Sequence, residues 1–339
     1  MDAHAGILVI GAGAIGSITA AMMSARGIPV TLVCRDAEQA GKIASGGIHL
    51  SGHGGDRRVG VRTAAGLDGI TSFVDTVFLA TKAYQVRGIA RQLVPLLKKD
   101  SRVVSMQNGI VEEELAGIVG RERTVGCVVR FGATLHEPGV AEMTSRGRIL
   151  VGYPYRPGDE RLDEIARIME NIAPVTVTGR IMSELYSKLI INSCTSTVGA
   201  ISGLTLGELL KKGRARQIFT AVAREALRVT GAGNLDVAPV VGRLTWAGLL
   251  HMHPALRHGL IRLLGMRYGQ LRSSSLRAIE RGRSTEVDFL NGHIVRKGES
   301  LGVDTPVNGR LVEMIHEMEQ GKRPVTPLNL EDEQLVRHF

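Results

Sequence analysis

Short apolar runs alternate with helix-length segments through the first half of the chain. The runs predict strands at residues 6–10, 29–33, 73–80 and 102–106, and the segments between them predict helices at 15–26 and 84–97. Further strands are predicted at 125–131, 140–144, 149–153 and 175–177, with Glu137-Pro138-Gly139 as a hairpin turn. Strands that alternate with helices favour a parallel, doubly wound sheet.

From about residue 180 the apolar spacing changes to the helical period. Helices are predicted at residues 181–201, 206–212, 215–230, 239–267, 273–282, 286–301 and 307–320. A length of 339 residues is typical of two domains. We therefore expect an α/β domain over residues 1–180, an all-α domain over 181–325 and a C-terminal tail over 326–339.

Composition narrows the class of protein. Hydrophobic residues make up 44% of the chain, which predicts a globular core, and no uncharged apolar run is long enough for a membrane helix. The first residues, Met1-Asp2-Ala3-His4, lack a basic segment, so a cytoplasmic location is expected. The three cysteines, Cys34, Cys127 and Cys194, have no paired spacing, which favours reduced thiols over disulfides or a metal site.

The net charge of +9 raises the question of a nucleic-acid partner. Aromatic residues are only 4%, and no nucleic-acid-reading motif is present in the sequence. The densest basic stretch spaces its arginines five residues apart, which spreads them around a helix: Arg257, Arg262, Arg267, Arg272 and Arg277. We therefore expect no nucleic acid and interpret these arginines as a solvated helix surface. The alternatives are a positive field that attracts small anionic substrates and a surface for a partner.

A glycine-rich motif follows the first predicted strand and opens a helix: Gly11-Ala12-Gly13-Ala14-Ile15-Gly16. In this GxGxxG pattern, Gly11 allows the tight turn, Gly13 lets a pyrophosphate approach and Gly16 lets the helix pack on the strand. Free N–H groups at the helix start bind the phosphates. The context predicts a Rossmann-type dinucleotide-binding domain; the alternative is a tight turn without a ligand.

The end of the second strand bears on the choice of dinucleotide. Arg35 stands about where an NAD enzyme has an acidic residue for the ribose, and an arginine favours the 2′-phosphate of NADP. The neighbouring Asp36 is the argument for NAD. The sequence thus favours NADPH/NADP as the cofactor.

Other polar residues occupy positions where ligands of such folds bind. Lys82 and Asn108 each follow a predicted parallel strand, although either alone is an ordinary loop residue. Lys188 and Asn192 are four apart on a predicted helix and share one face, which Thr195 and Ser196 continue. A solvated lysine is the simpler explanation of that pair taken alone.

Five ordered motifs together resemble the ketopantoate reductase (2-dehydropantoate 2-reductase) family. They are the glycine-rich turn, Thr81-Lys82-Ala83, Gln107-Asn108-Gly109, the helix segment from Glu184 to Asn192, and Gly282-Arg283-Ser284-Thr285-Glu286-Val287-Asp288. The resemblance extends from about residue 6 to about residue 320. It implies an NADPH-dependent reduction of a small anionic 2-keto acid, 2-dehydropantoate, to pantoate in the pantothenate route to coenzyme A.

The resemblance also implies roles for single residues. Lys188 would be the proton donor, with Glu286 near it and near the nicotinamide ribose. Substrate contacts would come from Asn108, Lys188, Asn192, Ser196 and Ser274. Cofactor contacts would come from residues 11–16 (Gly11, Ala12, Gly13, Ala14, Ile15, Gly16), Arg35, Lys82, Asn108, Glu286 and, as a weaker match, Ala133.

The chain departs from better-known family members at three places. Ser196 replaces a second asparagine, Ser274-Ser275-Leu276-Arg277-Ala278 replaces a Ser-Met pair with a following aspartate, and residues 246–272 form a longer segment. These departures leave open a reductase of another branched or larger 2-keto acid, and whether Ser274 or Ser275 contacts the carboxylate. A non-catalytic NADP-binding sensor is the alternative of a different class. A homodimer is compatible with the sequence, which does not determine the oligomeric state.

Overall fold

The computed structural model describes residues 6–266 and 269–339, apart from the side chains of Leu264 and Met266. The first residues, Met1 to His4, and Arg267, where a helix was predicted to end, lie outside the described residues. The chain divides into two compact units. Unit 1 comprises Met1–Gln107 and Val111–Met182, and unit 2 comprises Asn108–Ile110 and Ser183–Phe339.

Unit 1 alternates strands and helices. Its strands are β1 (Ile7–Ile10), β2 (Val30–Cys34), β3 (Ile48–Gly52), β4 (Arg57–Val59), β5 (Arg62–Ala65), β6 (Val74–Leu79), β7 (Leu97–Ser105), β8 (Thr124–Val129), β9 (Gly132–Glu137), β10 (Val140–Ser145), β11 (Ile149–Gly152) and β12 (Val175–Val177). Its helices are α1 (Ala14–Ser24), α2 (Ala37–Gly46), α3 (Val86–Leu93), α4 (Glu112–Val119) and α5 (Glu160–Met169).

The main sheet of unit 1 has eight strands in the order β12-β11-β8-β7-β6-β1-β2-β5. Strands β7, β6, β1, β2 and β5 run parallel, and only the β8–β11 pair is antiparallel. Strand β2 is buried along its whole length, as expected for a strand covered on both faces. The predicted doubly wound sheet is confirmed, with one antiparallel pair added.

A second sheet of four strands, in the order β4-β3-β10-β9, was not predicted. The predicted strand at 140–144 belongs to this sheet and not to the main one. Strands β9 and β10 form the hairpin expected at Glu137-Pro138-Gly139, where Gly139 takes a positive φ of 85°. Strands β3 and β9 escaped prediction because both mix polar with apolar residues.

Unit 2 is helical. It contains most of α6 (Ile181–Asn192), α7 (Val198–Ser202), α8 (Leu206–Lys211), α9 (Gly213–Ala232), α10 (Trp246–His251), α11 (Pro254–Met266), α12 (Ser274–Glu280), α13 (Asn291–Leu301), α14 (Pro306–Glu319) and α15 (Glu333–Val336). The predicted all-α architecture is confirmed for the described residues of this unit, in which the only β pairing is an isolated bridge between Val241 and Leu244.

Three predicted helices of unit 2 are wrong in detail. The helix predicted at 239–267 is two helices, because Met252 is extended and Pro254 can begin a helix but not continue one. The helix predicted from Glu286 begins at Asn291, after a 3₁₀ turn and a non-helical Leu290 with φ −105° and ψ −101°. The helix predicted at 181–201 is interrupted by a π-helical segment, Ser193–Thr197.

Among the described residues, no helix is long and apolar enough to cross a membrane. Cys34, Cys127 and Cys194 are buried, and none of the three forms a disulfide within the described residues.

Candidate functional site

The glycine-rich turn of unit 1 leaves an open space at the start of α1. A Cβ atom on Gly16 would lie 1.9 Å from the carbonyl oxygen of Gly11, so only glycine lets α1 pack this closely. Around Gly13, by contrast, a Cβ atom would meet nothing within 4 Å. Gly13 caps α1 without a side-chain hydrogen bond to its first amides. The turn therefore fits a pyrophosphate, which would find both room and unpaired N–H donors there.

Asp36 has a structural task at the end of β2. Its Oδ1 accepts from the backbone N–H of Gln39 at 2.8 Å and caps α2, and its Oδ2 accepts from Nε of Arg35 at 2.9 Å. These two hydrogen bonds, the one from Gln39 first, lower the pKa of Asp36. Both carboxylate oxygens are thus engaged. Among the described residues, the terminal nitrogens Nη1 and Nη2 of Arg35 have no protein partner, and its side chain is 76% exposed.

Gln39 was missed by sequence reasoning. Its side-chain Nε2 donates to the carbonyl of Ala12 at 3.4 Å, and its Oε1 accepts from the backbone N–H of Arg35 at 3.3 Å. Gln39 thereby joins the glycine-rich turn to the end of β2. No sequence signal marks it, because a glutamine on the first turn of a helix is ordinary.

Lys82 and Ala133 lie in different parts of unit 1. Lys82 is exposed and follows β6, which pairs in parallel with β1, so it lies at the same end of the sheet as the glycine-rich turn. The methyl of Thr81 would be 2.8 Å from a Cβ atom on Gly11. Ala133 lies on β9 in the second sheet, and its side chain packs against the core of unit 1.

In unit 2, the structure brings Asn192 and Asn108 together. Nδ2 of Asn192 donates to Oδ1 of Asn108 at 3.4 Å. Lys188 is one turn before Asn192 on α6, and both side chains are partly buried. Gly109 has a φ of +88°, and a Cβ atom there would lie 2.4 Å from the carbonyl oxygen of Phe289, so a side chain would clash. The loop 108–110, which belongs to unit 2, therefore packs closely on Phe289, and its Asn108 contacts Asn192 of α6.

A tryptophan contacts α6 at Ser187, the residue before Lys188. Nε1 of Trp246 donates to the hydroxyl of Ser187 at 3.0 Å, and both residues are buried. Trp246 is the first residue of the segment 246–272, which is longer than in better-known family members. At this residue the segment packs against α6 and orients the helix that carries Lys188.

The π-helical segment after Asn192 contains two residues of the predicted face. The hydroxyl of Thr195 donates to the carbonyl of Ile191 at 2.9 Å, one turn back on the same helix. The carbonyl of Ser196 accepts from the hydroxyl of Ser273 at 2.5 Å. Ser273 also caps α12, because its Oγ accepts from the N–H of Leu276 at 3.1 Å. One serine thus joins the start of α12 to the π-helical segment.

The residues after Ser273 and around Glu286 are also in unit 2. Ser274 is partly buried and Ser275 is buried, which favours Ser274 as the residue that a ligand can reach. Glu286 is buried, with 6% exposure, immediately before the 3₁₀ turn. Thr285 stabilises this turn, since its Oγ1 accepts from the N–H of Val287 at 3.2 Å.

Metal binding finds no support in residues 6–266 and 269–339. No group of three or more His, Cys, Asp or Glu side chains is arranged there to hold an ion.

Comparisons with known proteins cover both units. The family model described as ketopantoate reductase PanE/ApbA matches residues 7–155, and the model of its C-terminal part matches residues 180–319. A 2-dehydropantoate 2-reductase of Archaeoglobus fulgidus is 26% identical over 317 residues, which cover 93% of this chain and 98% of the relative. One of Vibrio cholerae is 28% identical over 320 residues, which cover 93% and 98%.

Solved structures agree in fold. A PanE/ApbA family ketopantoate reductase from Ralstonia eutropha aligns with a TM-score of 0.79 at 24% identity, over 93% of this chain and 99% of that one. A D-mandelate dehydrogenase solved with NADH and anilino(oxo)acetate also aligns with a TM-score of 0.79, at 22% identity over 93% and 99%. With both family models matched in order along the sequence, this chain belongs to the ketopantoate reductase family and is an NAD(P)-dependent oxidoreductase acting on 2-keto or 2-hydroxy acids.

Proposed function

We propose that the protein reduces 2-dehydropantoate to pantoate with NADPH, and that Lys188 is the general acid. The observation that carries this proposal is the arrangement on α6, where Lys188 lies one turn from Asn192 and Asn192 is bonded to Asn108. The loop residue Asn108 is thus a neighbour of Asn192, which is one helical turn from Lys188, and all three match the family's site. A role in pantothenate biosynthesis, in the cytoplasm, follows from the same proposal.

Unit 1 would hold the cofactor. The amides at the start of α1, beside Gly13, would bind the pyrophosphate, and the unpartnered guanidinium nitrogens of Arg35 would bind the 2′-phosphate. Lys82, at the same end of the sheet, adds a positive charge. The cofactor supplies the hydride, and the protein supplies binding and orientation.

Unit 2 would supply the proton. When hydride reaches the carbonyl carbon of the 2-keto acid, negative charge builds on the carbonyl oxygen. The ammonium of Lys188 stabilises that charge and donates the proton that completes the hydroxyl group. Asn192, Asn108 and Ser274 would hold the substrate, and we assign Glu286 to the ribose and to Lys188 by the family match.

A second candidate is a reductase of a larger 2-keto acid. Ser196 is shorter than the asparagine of better-known members, so its side chain would leave more volume for a substrate. The alignment with D-mandelate dehydrogenase fits this alternative, since mandelate carries a phenyl ring on the 2-hydroxy acid.

A panel of 2-keto acids, followed by the loss of NADPH absorbance, tests these proposals. The panel contains 2-dehydropantoate, 3-methyl-2-oxobutanoate, benzoylformate and pyruvate, each with NADPH and with NADH. The highest kcat/KM for 2-dehydropantoate with NADPH is the expected result, and a preference for benzoylformate would favour the second candidate. NADPH binding without turnover of any acid would point to the sensor instead. Light scattering of the same sample tests the homodimer.

A further inference from the structure

A hydrogen-bonded network of four buried polar side chains lies in unit 2 and includes one residue of the π-helical segment. Its members are Thr197, Asn291, Asn308 and Glu225, each no more than 3% exposed. Buried polar groups are costly unless they are hydrogen-bonded, so a set of four in a helical core requires a structural reason.

The side-chain amide of Asn291 spans the π-helical segment from its first residue to its last. Its Oδ1 accepts from the hydroxyl of Thr197 at 2.5 Å, and its Nδ2 donates to the carbonyl of Ser193 at 3.4 Å. A π-helical turn closes its hydrogen bonds over one more residue than an α-helix does, and such turns are rare. Asn291 supports this turn from a different helix.

Asn291 is itself held by Asn308 and, through Asn308, by Glu225. Its Nδ2 also donates to Oδ1 of Asn308 at 2.9 Å, and Nδ2 of Asn308 donates to Oε2 of Glu225 at 2.7 Å. The Glu225 carboxylate further accepts from the backbone N–H groups of Val307 and Asn308, both at 2.9 Å, in the first turn of α14. The positive end of that helix compensates the buried charge. The network of hydrogen bonds therefore fixes the orientation of the Asn291 amide.

The π-helical segment changes which residues share a face with Lys188. A regular α-helix advances about 100° per residue, so Ser196 would lie about 80° around the helix from Lys188. The wider π-helical turn rotates by a smaller angle per residue about the helix axis. Ser196 is therefore brought back toward the side of the helix that carries Lys188 and Asn192. The bond from Ser273 to the carbonyl of Ser196 holds the same segment from its other side.

We infer that Asn291, fixed by Asn308 and Glu225, is a positioning residue that maintains the π-helical segment and thereby aligns Ser196 with Lys188 and Asn192. The kinetic consequence rests on the function proposed above, because it assumes that this face binds the 2-keto acid. The structural consequence, that the segment depends on Asn291 and Thr197, does not rest on it.

Two substitutions of similar shape test the inference. Thr197→Val removes the hydroxyl that donates to Asn291, and Asn291→Asp removes the donor to Ser193 and Asn308. Thr197→Ser restores the hydroxyl and serves as the rescue. Thr220→Val is the matched control, because Thr220 is buried in α9 and its hydroxyl donates only within its own helix, to the carbonyl of Arg216 at 2.8 Å.

We expect Thr197→Val and Asn291→Asp to raise the KM of the accepted 2-keto acid at least tenfold, with the Kd of NADPH within twofold of the parent. Thr197→Ser should restore the KM, and Thr220→Val should leave it unchanged. A purely structural role would lower the folded fraction, and hence kcat per enzyme, without raising KM. An unchanged KM in both test variants would overturn the inference.

Crystal structures of the same variants provide a second measurement that needs no substrate. In Thr197→Val and in Asn291→Asp, we expect residues 193–197 to return to regular α-helical hydrogen bonding. In Thr220→Val, we expect the same residues to keep their π-helical hydrogen bonds. A retained π-helical segment in both test variants would overturn the inference even if the parent enzyme is active. If the parent reduces no 2-keto acid, the proposed function fails, and these structures alone decide the role of Asn291.

Discussion

Nε of Arg35 donates to Oδ2 of Asp36 at 2.9 Å, while Oδ1 of the same carboxylate caps α2. This relationship bears on cofactor choice, because it engages the acidic residue that would otherwise serve an NAD ribose. The terminal nitrogens of Arg35 remain for an anion.

Arg35→Asp should weaken NADPH binding at least tenfold and change NADH binding much less. The substitution removes charge-assisted hydrogen bonds of about 1.5–3 kcal/mol each, before the reduction by solvent exposure. It also places a negative charge against the 2′-phosphate, so we expect a total loss of at least about 1.4 kcal/mol, which corresponds to tenfold. Fluorescence titration with both cofactors measures the effect. Arg26→Asp, an equal charge change at an exposed residue after α1, is the control. Equal use of NADH and NADPH by the unmodified enzyme would contradict the role of Arg35.

Gly16→Ala should destabilise unit 1 and weaken NADPH binding. The new Cβ atom would meet the carbonyl oxygen of Gly11 at 1.9 Å, so α1 must move away from β1. Overpacking of this kind costs about 1–3 kcal/mol of the free energy of unfolding. Gly41→Ala is the matched control in α2, where a Cβ atom meets nothing within 4 Å, and it should stabilise by about 0.5–1 kcal/mol. Urea denaturation of both variants checks the difference, and a Gly16→Ala variant as stable as the parent would refute this packing.

The sequence predicts those elements of unit 1 that have a strong physical signal. The runs at β1, β2 and β6 are buried and apolar, and the glycine motif has a fixed relation to its strand and helix. Except at β10, the second sheet lacks such a signal, because its other strands mix polar with apolar residues and are partly exposed.

The sequence names candidate site residues by their type, but it does not give their contacts. Asp36 was compatible with either a ribose contact or a helix cap, and only the hydrogen bond from Gln39 shows the cap. Asn291, followed by Gly292, resembles a turn in sequence, yet it is fully buried and bonds across three helices. Hydrogen bonds between residues about 100 positions apart leave no local pattern, as for Thr197 and Asn291 with a separation of 94.

His293 should make the protein less stable as the pH falls below neutrality. Burial, with smaller contributions from Arg296 and Lys297, lowers the pKa of this histidine from 6.5 to about 4. The unfolded chain therefore binds a proton between pH 6.5 and 4 that the folded protein does not, and stability decreases as the pH falls through this range. The loss is about 2 kcal/mol at pH 5.

Urea denaturation between pH 7 and 5 measures this dependence in the parent and in His293→Gln. The variant should lose most of the slope, whereas His251→Gln, the same change at an exposed histidine, should keep it. The pKa of His258 is also lowered, first by burial, and contributes in the same direction, but this residue is present in both variants. An unchanged slope in His293→Gln would show that the buried imidazole is not the cause.

Lys188→Ala should abolish most turnover without disturbing the cofactor site. The substitution removes both the proton donor and the cation that faces the developing oxyanion, each worth about a hundredfold or more in rate. We expect kcat to fall by about three orders of magnitude for any accepted 2-keto acid, while the Kd of NADPH stays within a few-fold of the parent. Stopped-flow turnover and NADPH titration on the same preparation measure the two quantities.

Two further variants separate the roles of Lys188. Lys188→Arg keeps the cation but holds its proton too tightly to donate it, so it should recover part of the lost rate and no more. Lys211→Ala, at an exposed lysine in the last turn of α8, is the matched control and should keep parental turnover. Near-parental turnover in a folded Lys188→Ala variant would place the general acid elsewhere. A water-mediated proton from Glu286 would then be the first alternative, tested by Glu286→Gln in the Lys188→Ala background.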